Sequence, residues 1–316
     1  MRQKKFLIGN RRNEIMNIRE CFIEFIDYKQ MYCENDTIIY YENCYNKFID
    51  TMQICENEDI KTINKELYQA FIKKLRNEEI RNTSIRTYTR GFRVFIRYLY
   101  SEEYIEKDFT VNCKTPREEN LLEMPLSVKE VKLIDEFCEN KSILGLRNFI
   151  IIHLMLDVGL RLNEVVQLRI KDIELADNYI KLLDCKYNKN RIVPLPNLLK
   201  QAIKKYLNIR KGVKNEFLFL THDYSKEISP ITIKQMFTKL KKQTGIKRIH
   251  AHLLRHTFAT SYLIESNNLE YLRVLLGHED YNVTRNYIKL ATQIKIVNYD
   301  IYRIDMSEYK KIGLIK

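Results

Sequence analysis

Apolar side chains recur at helical spacing through the first hundred residues, and this repeat restricts the fold more than any other feature of the sequence. From Ile15 to about Ser101 the pattern predicts four helices, each with one apolar face that must be buried. The faces comprise Ile18, Phe22, Phe25 and Ile26; Ile38, Tyr41, Tyr45, Phe48 and Met52; Leu67, Phe71 and Leu75; and Ile85, Tyr88, Phe92, Phe95, Ile96 and Leu99. Asn64 is the expected N-cap of the third helix. Four such helices predict a small helical bundle over residues 14–108.

Arginines line the side of the fourth predicted helix that faces away from its apolar residues. They stand at positions 81, 86, 90, 93 and 97. A row of guanidinium groups at this spacing can follow the phosphates of a DNA backbone. The row is equally consistent with a solvated helix face, and the sequence leaves both interpretations open. The hypothesis of DNA binding is assigned to Arg86, Arg90, Arg93 and Arg97.

A break in the helical pattern divides the chain into two domains. Periodicity fails in residues 109–125, which contain Pro116 and Pro125 and are predicted to be an interdomain linker. Ser127 and Glu130 then form the sequence signature of a capping box at the start of a new helix. The predicted organisation is a flexible basic arm (1–13), the helical bundle (14–108), the linker, a second domain (126–292) and a C-terminal tail (293–316).

The second domain is predicted to combine helices with a small β-sheet. A helix from about Ser142 is expected to end at Gly159 in a left-handed C-cap, and residues 178–184 and 191–195 are expected to form two strands joined by a polar turn. Further helices are predicted at 197–210, from Ser229-Pro230 to Gly245, and at 252–266, 269–276 and 281–290. The fold class is therefore mainly α, with an N-terminal helical bundle and a mixed α+β domain.

The net charge of +13 favours a polyanionic partner, with nucleic acid ahead of an anionic membrane surface. A lysine-rich proteome would produce a similar charge on a merely solvated surface. The content of 45% hydrophobic and 30% charged residues is typical of a globular protein and excludes a disordered one.

Cysteine usage and the apolar runs bear on location and on metal binding. None of the seven cysteines forms a Cys-x-x-Cys pair, and no histidine stands at metal-ligand spacing from them. This predicts reduced thiols, a cytoplasmic location and no metal or cofactor. The longest apolar run, 149–156, is interrupted by His153 and is too short to span a bilayer, so no membrane association is expected.

The residue group with the clearest chemistry lies near the C-terminus. It contains His252-Leu-Leu-Arg255-His256, then Leu-Gly-His278, and Tyr287 nine residues later. A tyrosine phenol has a pKa near 10 and is a poor nucleophile unless cationic groups and a proton acceptor surround it. Arginine presents a planar fork of donors to phosphate oxygens, and histidine exchanges protons near neutral pH. The group predicts phosphoryl transfer through a covalent tyrosine ester.

Two further places upstream can take part in this chemistry. Arg161 follows Gly159 at a sharp turn, and Glu164 either holds its guanidinium or caps the next helix; alternatively the two form a surface ion pair that contributes almost nothing. In the predicted hairpin turn, Lys186 can donate a proton to a leaving alkoxide. Lys189 remains an alternative, and lysines are also common in turns for solubility alone.

Taken in chain order, these residues resemble the tyrosine recombinase, or phage integrase, family. The matching elements are Gly-Leu-Arg161-x-x-Glu164, Lys186 before Arg191-Ile-Val-Pro-Leu, His252-x-x-Arg255-His256, Leu-Gly-His278 and Tyr287. The resemblance covers about residues 125–290. The N-terminal bundle is similar to the family's SAM-like core-DNA-binding domain in length and helical character.

The resemblance implies a role for each residue. Arg161 and Arg255 would hold the scissile phosphate, with His278 as a further phosphate donor. His252 would exchange the proton of the nucleophile Tyr287, and Lys186 would protonate the departing 5′ oxygen, while Glu164 and His256 would support them. Cleavage would leave a 3′-phosphotyrosyl bond without ATP or metal.

The resemblance also implies double-stranded DNA with specific recombination sites as the partner, bound by a homo-tetramer on two paired sites. In the tail 293–316, apolar residues at 294, 297, 301 and 304 recur at helical spacing and predict one apolar helical face. That face is either buried on its own domain or exchanged between protomers, and the resemblance favours the exchange. Two other readings are a DNA-binding protein that has lost catalysis and a type IB topoisomerase. The sequence does not separate a mobile-element integrase from a chromosome-dimer resolvase.

Overall fold

The computed structural model describes residues 16–117, 123–139, 142–182, 190–278, 280–297 and 299–307. The chain divides into two compact units, Met1–Leu121 and Leu122–Lys316. The predicted basic arm, 1–13, lies outside the described residues. Among the helices that are described, none is both long and apolar enough to cross a membrane.

The first unit is a bundle built from the four predicted helices. They are α1 (Ile18–Gln30), α2 (Asn35–Met52), α3 (Lys65–Asn77) and α4 (Asn82–Ser101). The predicted N-cap of α3 is confirmed, since Asn64 Oδ1 accepts a hydrogen bond from the backbone N–H of Leu67 at 2.9 Å. Each helix buries the face that its apolar repeat predicted.

Aromatic rings dominate the core of this bundle. Phe48 of α2 stacks on Phe92 of α4 with ring centroids 3.9 Å apart. Next to that pair α2 and α4 approach so closely that a Cβ on Gly91 would lie 2.4 Å from Cys44 Sγ. Glycine at this position is therefore what allows the two helices to pack.

The second unit contains eight helices and three strands among the described residues. The helices are α5 (Val128–Cys138), α6 (Ile143–Leu156), α7 (Leu162–Gln167), α8 (Asn197–Ile209), α9 (Pro230–Thr244), α10 (Ala251–Ser266), α11 (Leu269–Leu276) and α12 (Tyr281–Val297). The predicted capping box at Ser127 and Glu130 is confirmed. The helix predicted from Ser229-Pro230 to Gly245 is α9, with Ser229 as its N-cap and Gly245 as its C-cap. The apolar helix α6 packs against α8 and α10 at the centre of the unit.

A three-stranded antiparallel sheet lies beside these helices, in the order β1 (Ile173–Glu174), β2 (Tyr179–Leu182), β3 (Arg191–Pro194). Pairing of β2 with β3 confirms the predicted hairpin, with Ile180 opposite Val193. The sequence pattern did not predict β1, because two residues are too few to show an alternating repeat. Residues 183–189 lie outside the described residues, including the predicted turn residues Lys186 and Lys189.

The expected helix end at Gly159 is wrong in detail. Helix α6 ends at Leu156, and its C-cap is Asp157 in a right-handed conformation. Gly159 does adopt the predicted positive φ, +75°, but it serves a sharp turn instead. A Cβ there would lie 2.4 Å from the ring of Phe258, so close packing on α10 also requires glycine.

The expectation that the tail forms a single apolar helical face is also wrong. Helix α12 runs to Val297, across the predicted boundary at 292/293, and Val297 is exposed. Beyond it, Ile301 and Ile304 are buried in a non-helical segment packed on its own unit. The backbone N–H of Ile304 donates to Ser261 Oγ at 3.1 Å, which helps fix that segment. An apolar repeat of three to four residues cannot distinguish a helix from an irregular segment pinned by distant partners.

His153, on α6, forms the centre of a buried polar cluster. The side chain is 3% exposed. Its Nδ1 lies 2.7 Å from Asp157 Oδ2, and its Nε2 lies 2.9 Å from Asp135 Oδ1. Tyr302 from the C-terminal segment donates to the other oxygen of Asp157 at 3.0 Å. Burial disfavours the charged ring, but the two carboxylates outweigh it and raise the pKa of His153 from 6.5 to about 9.

This cluster predicts a specific dependence of stability on pH. Because the folded-state pKa is raised, the imidazolium contributes fully below pH 6.5 and its contribution is lost as the pH rises through about 9. We expect His153→Gln to lower the free energy of unfolding by about 3 kcal/mol at the acidic end of this window. The deficit should shrink toward pH 9 in urea denaturation. A deficit independent of pH would contradict a charged ring.

Candidate active site

Two of the predicted catalytic arginines, Arg161 and Arg255, meet at the carboxyl end of α11. The last carbonyl groups of a helix have no partner within it, and they carry the negative end of its dipole. Three arginines from distant parts of the chain donate to three consecutive carbonyls there. The pairs are Arg191 Nε with Leu275 O at 2.8 Å, Arg255 Nη2 with Leu276 O at 2.6 Å, and Arg161 Nη2 with Gly277 O at 3.1 Å. One helix end thus brings three guanidinium groups together.

Glycine at position 277 is needed for this arrangement. It is the C-cap of α11 with a φ of +62°, a left-handed conformation that strains residues with a side chain. A Cβ at this position would also stand 3.1 Å from Arg191 Nη1. The glycine of the Leu-Gly-His motif therefore ends the helix while admitting an arginine close to its backbone.

Glu164 holds two of the arginines. Its carboxylate accepts the backbone N–H of Arg161 at 2.7 Å and Arg161 Nη1 at 3.0 Å, so it both caps α7 and fixes the guanidinium. Arg191 donates two hydrogen bonds of 2.8 Å to the same carboxylate. Burial opposes ionisation of Glu164, but Arg191 and the N–H of Arg161 outweigh it and lower its pKa. The Glu164 side chain is only 17% exposed. The pair of Arg161 and Glu164 is therefore not the weak surface ion pair that the sequence left open.

Arg255, on α10, is the most deeply buried of the three, at 4% exposure. Besides Leu276 O it donates to Gly159 O and, through Nη2, to His278 Nε2 at 3.2 Å. Burial and the nearby charge of Arg161 lower its pKa to about 9. The side chain is consequently cationic at neutral pH and fixed in direction.

His278 comes directly after Gly277, the last of the three residues whose carbonyl groups bind arginines. Its Nε2 accepts from Arg255, so its proton lies on Nδ1, which is 2.9 Å from Thr284 Oγ1 at the start of α12. Burial and the positive charges of Arg255 and Arg161 lower its pKa to about 4. The ring is therefore neutral at neutral pH in this structure.

Tyr287, on α12, is 7% exposed, and its ring centroid lies 5.3 Å from that of His256. Burial raises the pKa of its phenol, while the charges of Arg255 and Arg161 act in the opposite direction. The phenol is protonated at neutral pH, so it requires a proton acceptor in order to attack.

His252 stands in the first turn of α10 with an exposed side chain. Desolvation and the charges of His250 and Arg255 lower its pKa below the usual value. A neutral imidazole at this point can accept a proton. Among the described residues, no group of three or more histidine, cysteine, aspartate or glutamate side chains is arranged to hold a metal ion.

The predicted DNA-binding arginines of α4 belong to the first unit and are not all equally exposed. Arg86, Arg90 and Arg93 line a surface groove of about 300 Å³ together with four threonines. Arg93 is half-buried and uses its donors inside the bundle, on Tyr68 Oη at 3.1 Å and on the carbonyl of Cys113. Arg97 is exposed and lies 3.5 Å from Asp108. Arg86 Nη1 lies 3.5 Å from Pro116 O, and DNA binding by these arginines stays a prediction.

Sequence reasoning overlooked two residues of this site. Arg191 was noted only as part of the hairpin and of the element Arg191-Ile-Val-Pro-Leu, without a role, yet it contacts both Glu164 and α11. Thr284 is fully buried and orients the ring of His278. The only signal for either was proximity in sequence to a motif, because their partners lie on other elements.

Comparison with known proteins assigns the same region to one family. The model of the phage integrase family matches residues 125–293. The chain is 30% identical over 290 residues to the tyrosine recombinase XerD of Staphylococcus haemolyticus, covering 88% of this chain and 96% of that protein. It is 25% identical to the tyrosine recombinase XerC of Staphylococcus carnosus, covering 87% and 93%.

Solved structures show the same fold. An integrase of the transposon Tn1549 in complex with a circular intermediate DNA aligns with a TM-score of 0.73 and 16% identity, over 90% of this chain and 100% of that one. A lambda integrase dimer bound to a COC′ core site aligns with a TM-score of 0.70 and 16% identity, over 86% and 95%.

Proposed function

Because this chain belongs to the phage integrase family, we propose that it cleaves and rejoins DNA strands with Tyr287 as the nucleophile. Site-specific recombination of DNA is the activity that its membership and its tyrosine recombinase relatives establish. The observation that carries the assignment of individual residues is the convergence of Arg161, Arg255 and His278 on one helix end, together with the positive charges of the two arginines near Tyr287.

Arg161 and Arg255 would bind the scissile phosphate. Each guanidinium has five N–H donors and uses only some of them on the protein, so donors remain for non-bridging oxygens. Their positions are fixed by Glu164, Gly159 and α11 before DNA arrives. Preorganised donors of this kind stabilise the charge that builds up on the phosphorane-like transition state.

His278 would also bind the scissile phosphate, beside Arg161 and Arg255, after a change in its protonation. Its Nε2 is an acceptor in this structure, and burial together with the nearby cations keeps its pKa near 4. A bound phosphate brings negative charge beside the ring and opposes the effect of those cations. The imidazole would then carry a proton on Nε2 and donate it in a hydrogen bond to the phosphate.

The chemical step transfers the phosphoryl group without net change in the number of phosphate ester bonds. The phenolic oxygen of Tyr287 forms a bond to phosphorus, and its proton passes to His252. The bond between phosphorus and the 5′ oxygen breaks, and Lys186 supplies the proton that yields a 5′ hydroxyl. The product is a 3′-phosphotyrosyl ester, and attack by a 5′ hydroxyl reverses the sequence.

The proposal predicts a covalent adduct that forms without a divalent metal. Purified protein would be incubated, with excess EDTA, with nicked duplexes whose binding site was selected from a randomised pool. Because arginines supply the positive charge at the phosphate, we expect full adduct formation, and peptide mapping should place the DNA on Tyr287. Attachment to another residue would contradict the assignment, as would a requirement for magnesium.

We infer further that protomers pair on DNA, with four copies acting on two recombination sites. The lambda integrase comparison, a dimer bound to a core site, supports pairing on a single site. The described part of the tail, to Ser307, packs on its own unit, and the exposed end of α12 offers an apolar surface for contact with another protomer. Ile296 and Val297 there are 76% and 66% exposed.

A further inference from the structure

Four residues at the start of the second unit, Glu123–Leu126, form a strap that lies across α10. Each of their four carbonyl groups accepts a hydrogen bond from a residue far along the chain. The donors are His256 Nε2 to Glu123 O at 2.7 Å, Arg248 Nη1 to Met124 O, Arg248 Nη2 to Pro125 O at 3.2 Å, and the backbone N–H of Tyr302 to Leu126 O at 2.9 Å. An irregular segment whose carbonyls are all satisfied by fixed partners is held in one conformation.

Two further anchors tie the strap to its neighbours. The backbone N–H of Leu126 donates to Thr257 Oγ1 of α10 at 2.9 Å, and the Leu126 side chain is fully buried. Arg248 also binds both carboxylate oxygens of Glu130, at 2.8 and 2.7 Å, and Glu130 caps α5. The strap is thus joined to both α5 and α10.

His256 connects this strap to the nucleophile. A carbonyl oxygen only accepts, so the proton of the ring must lie on Nε2. Burial lowers the pKa of His256, and the ring is neutral at neutral pH with its tautomer set by Glu123. Its ring also packs against the ring of Tyr287, with centroids 5.3 Å apart and planes 39° apart. The ring of His256 therefore lies between the strap and the tyrosine.

We propose that His256 is a positioning residue for Tyr287 and that the strap holds it, so that the segment entering the catalytic unit from the linker orients the nucleophile. This inference rests on the proposed role of Tyr287. An attacking oxygen must lie in line with the bond that breaks, and a misplacement of about 1 Å costs on the order of 100-fold in rate. A displacement of the strap would shift Tyr287 through two contacts. The first is between Glu123 O and His256, and the second is between the rings of His256 and Tyr287.

Two versions of the nicked duplex separate positioning from proton donation. In one of them sulfur replaces the bridging 5′ oxygen, and the thiolate then departs without a general acid. We expect His256→Ala to form adduct roughly 100-fold more slowly on both substrates, with unchanged DNA affinity. Lys186→Ala lacks the proposed general acid. It should form adduct slowly on the oxygen substrate and at the wild-type rate on the sulfur substrate. Restoration of His256→Ala by sulfur would overturn a positioning role.

A double-mutant cycle tests the strap itself. Arg248→Lys keeps the charge but loses the fork that holds Met124, Pro125 and Glu130. If Arg248 acts only through His256, the single variant is slow and the double variant is no slower than His256→Ala. Independent, multiplying losses would overturn the role of the strap. His222→Ala, an exposed histidine in a loop of the same unit, should match the wild type.

The outcomes also separate this inference from the proposed function. If the wild type forms no adduct on Tyr287, the proposed function fails. If it does, and His256→Ala reacts at the same rate, only the positioning role is overturned. Should His256→Ala fail to fold, His256→Gln keeps a donor for Glu123 O without the ring. It should fold and still react slowly on both substrates, and a wild-type rate would contradict the proposal.

Discussion

Replacing Tyr287 by phenylalanine is expected to abolish the covalent protein–DNA adduct while leaving DNA binding nearly intact. The side chain is 7% exposed, and phenylalanine fills the same space, so the packing of α12 is retained. Only the attacking oxygen is lost, and no partial substitute for it exists in the side chain. The adduct would be measured on a denaturing gel with a nicked duplex, and affinity by gel shift.

Tyr281→Phe provides the matched control for this experiment. Tyr281 begins the same helix but is 49% exposed, and it has no role in the proposed chemistry. The control should form adduct at the wild-type rate. Continued adduct formation by Tyr287→Phe would show that another side chain is the nucleophile.

Removing the buried guanidinium of Arg255 should produce the second largest effect. We expect Arg255→Ala to slow cleavage by about 10²–10³-fold, equivalent to about 3–4 kcal/mol, which is typical of losing one preorganised donor at a transition state. DNA affinity should change far less, because charges throughout the protein contribute to binding. Single-turnover cleavage measures the rate, and a gel shift at the same salt concentration measures the DNA affinity. Equal losses in rate and affinity would mean that Arg255 only anchors the backbone.

Stability needs a separate measurement for this variant. Alanine leaves the carbonyls of Gly159 and Leu276 without their donor, at a cost of about 1–3 kcal/mol each. Thermal denaturation will show whether the variant is folded at the assay temperature. Arg255→Lys keeps a cation without the fork and should remain slow. Arg169→Ala, which removes a partly exposed pair with Glu216, should leave cleavage unchanged.

Local sequence patterns predicted most of the helices correctly for a physical reason. A capping box such as Ser127–Glu130, or an N-cap such as Asn64, joins atoms only three residues apart. Their geometry hardly depends on the rest of the chain. Where a segment is fixed by distant partners instead, as at Ile301 and Ile304, the apolar repeat predicted the wrong conformation.

The residues of the candidate site show the same contrast between local patterns and contacts with distant partners. Residue type and order were enough to select Arg161, His252, Arg255, His278 and Tyr287, and the structure brings them into one unit. Arg191 was missed because its function depends on Glu164 and on the end of α11, which lie on other elements. The protonation of His278 depends on the charges around it and was not predictable from its motif.

The sequence by itself determined the helices of both units, the family resemblance and the residues with chemistry at the proposed site. Tertiary structure alone decided how those residues are oriented, which ones are neutral, and that the strap Glu123–Leu126 meets His256. The reason is the distance along the chain over which each interaction acts. Helix caps and apolar faces arise between residues three or four apart, whereas Arg161 reaches Gly277 across 116 positions and His256 reaches Glu123 across 133. Contacts of that kind exist only once the chain has folded.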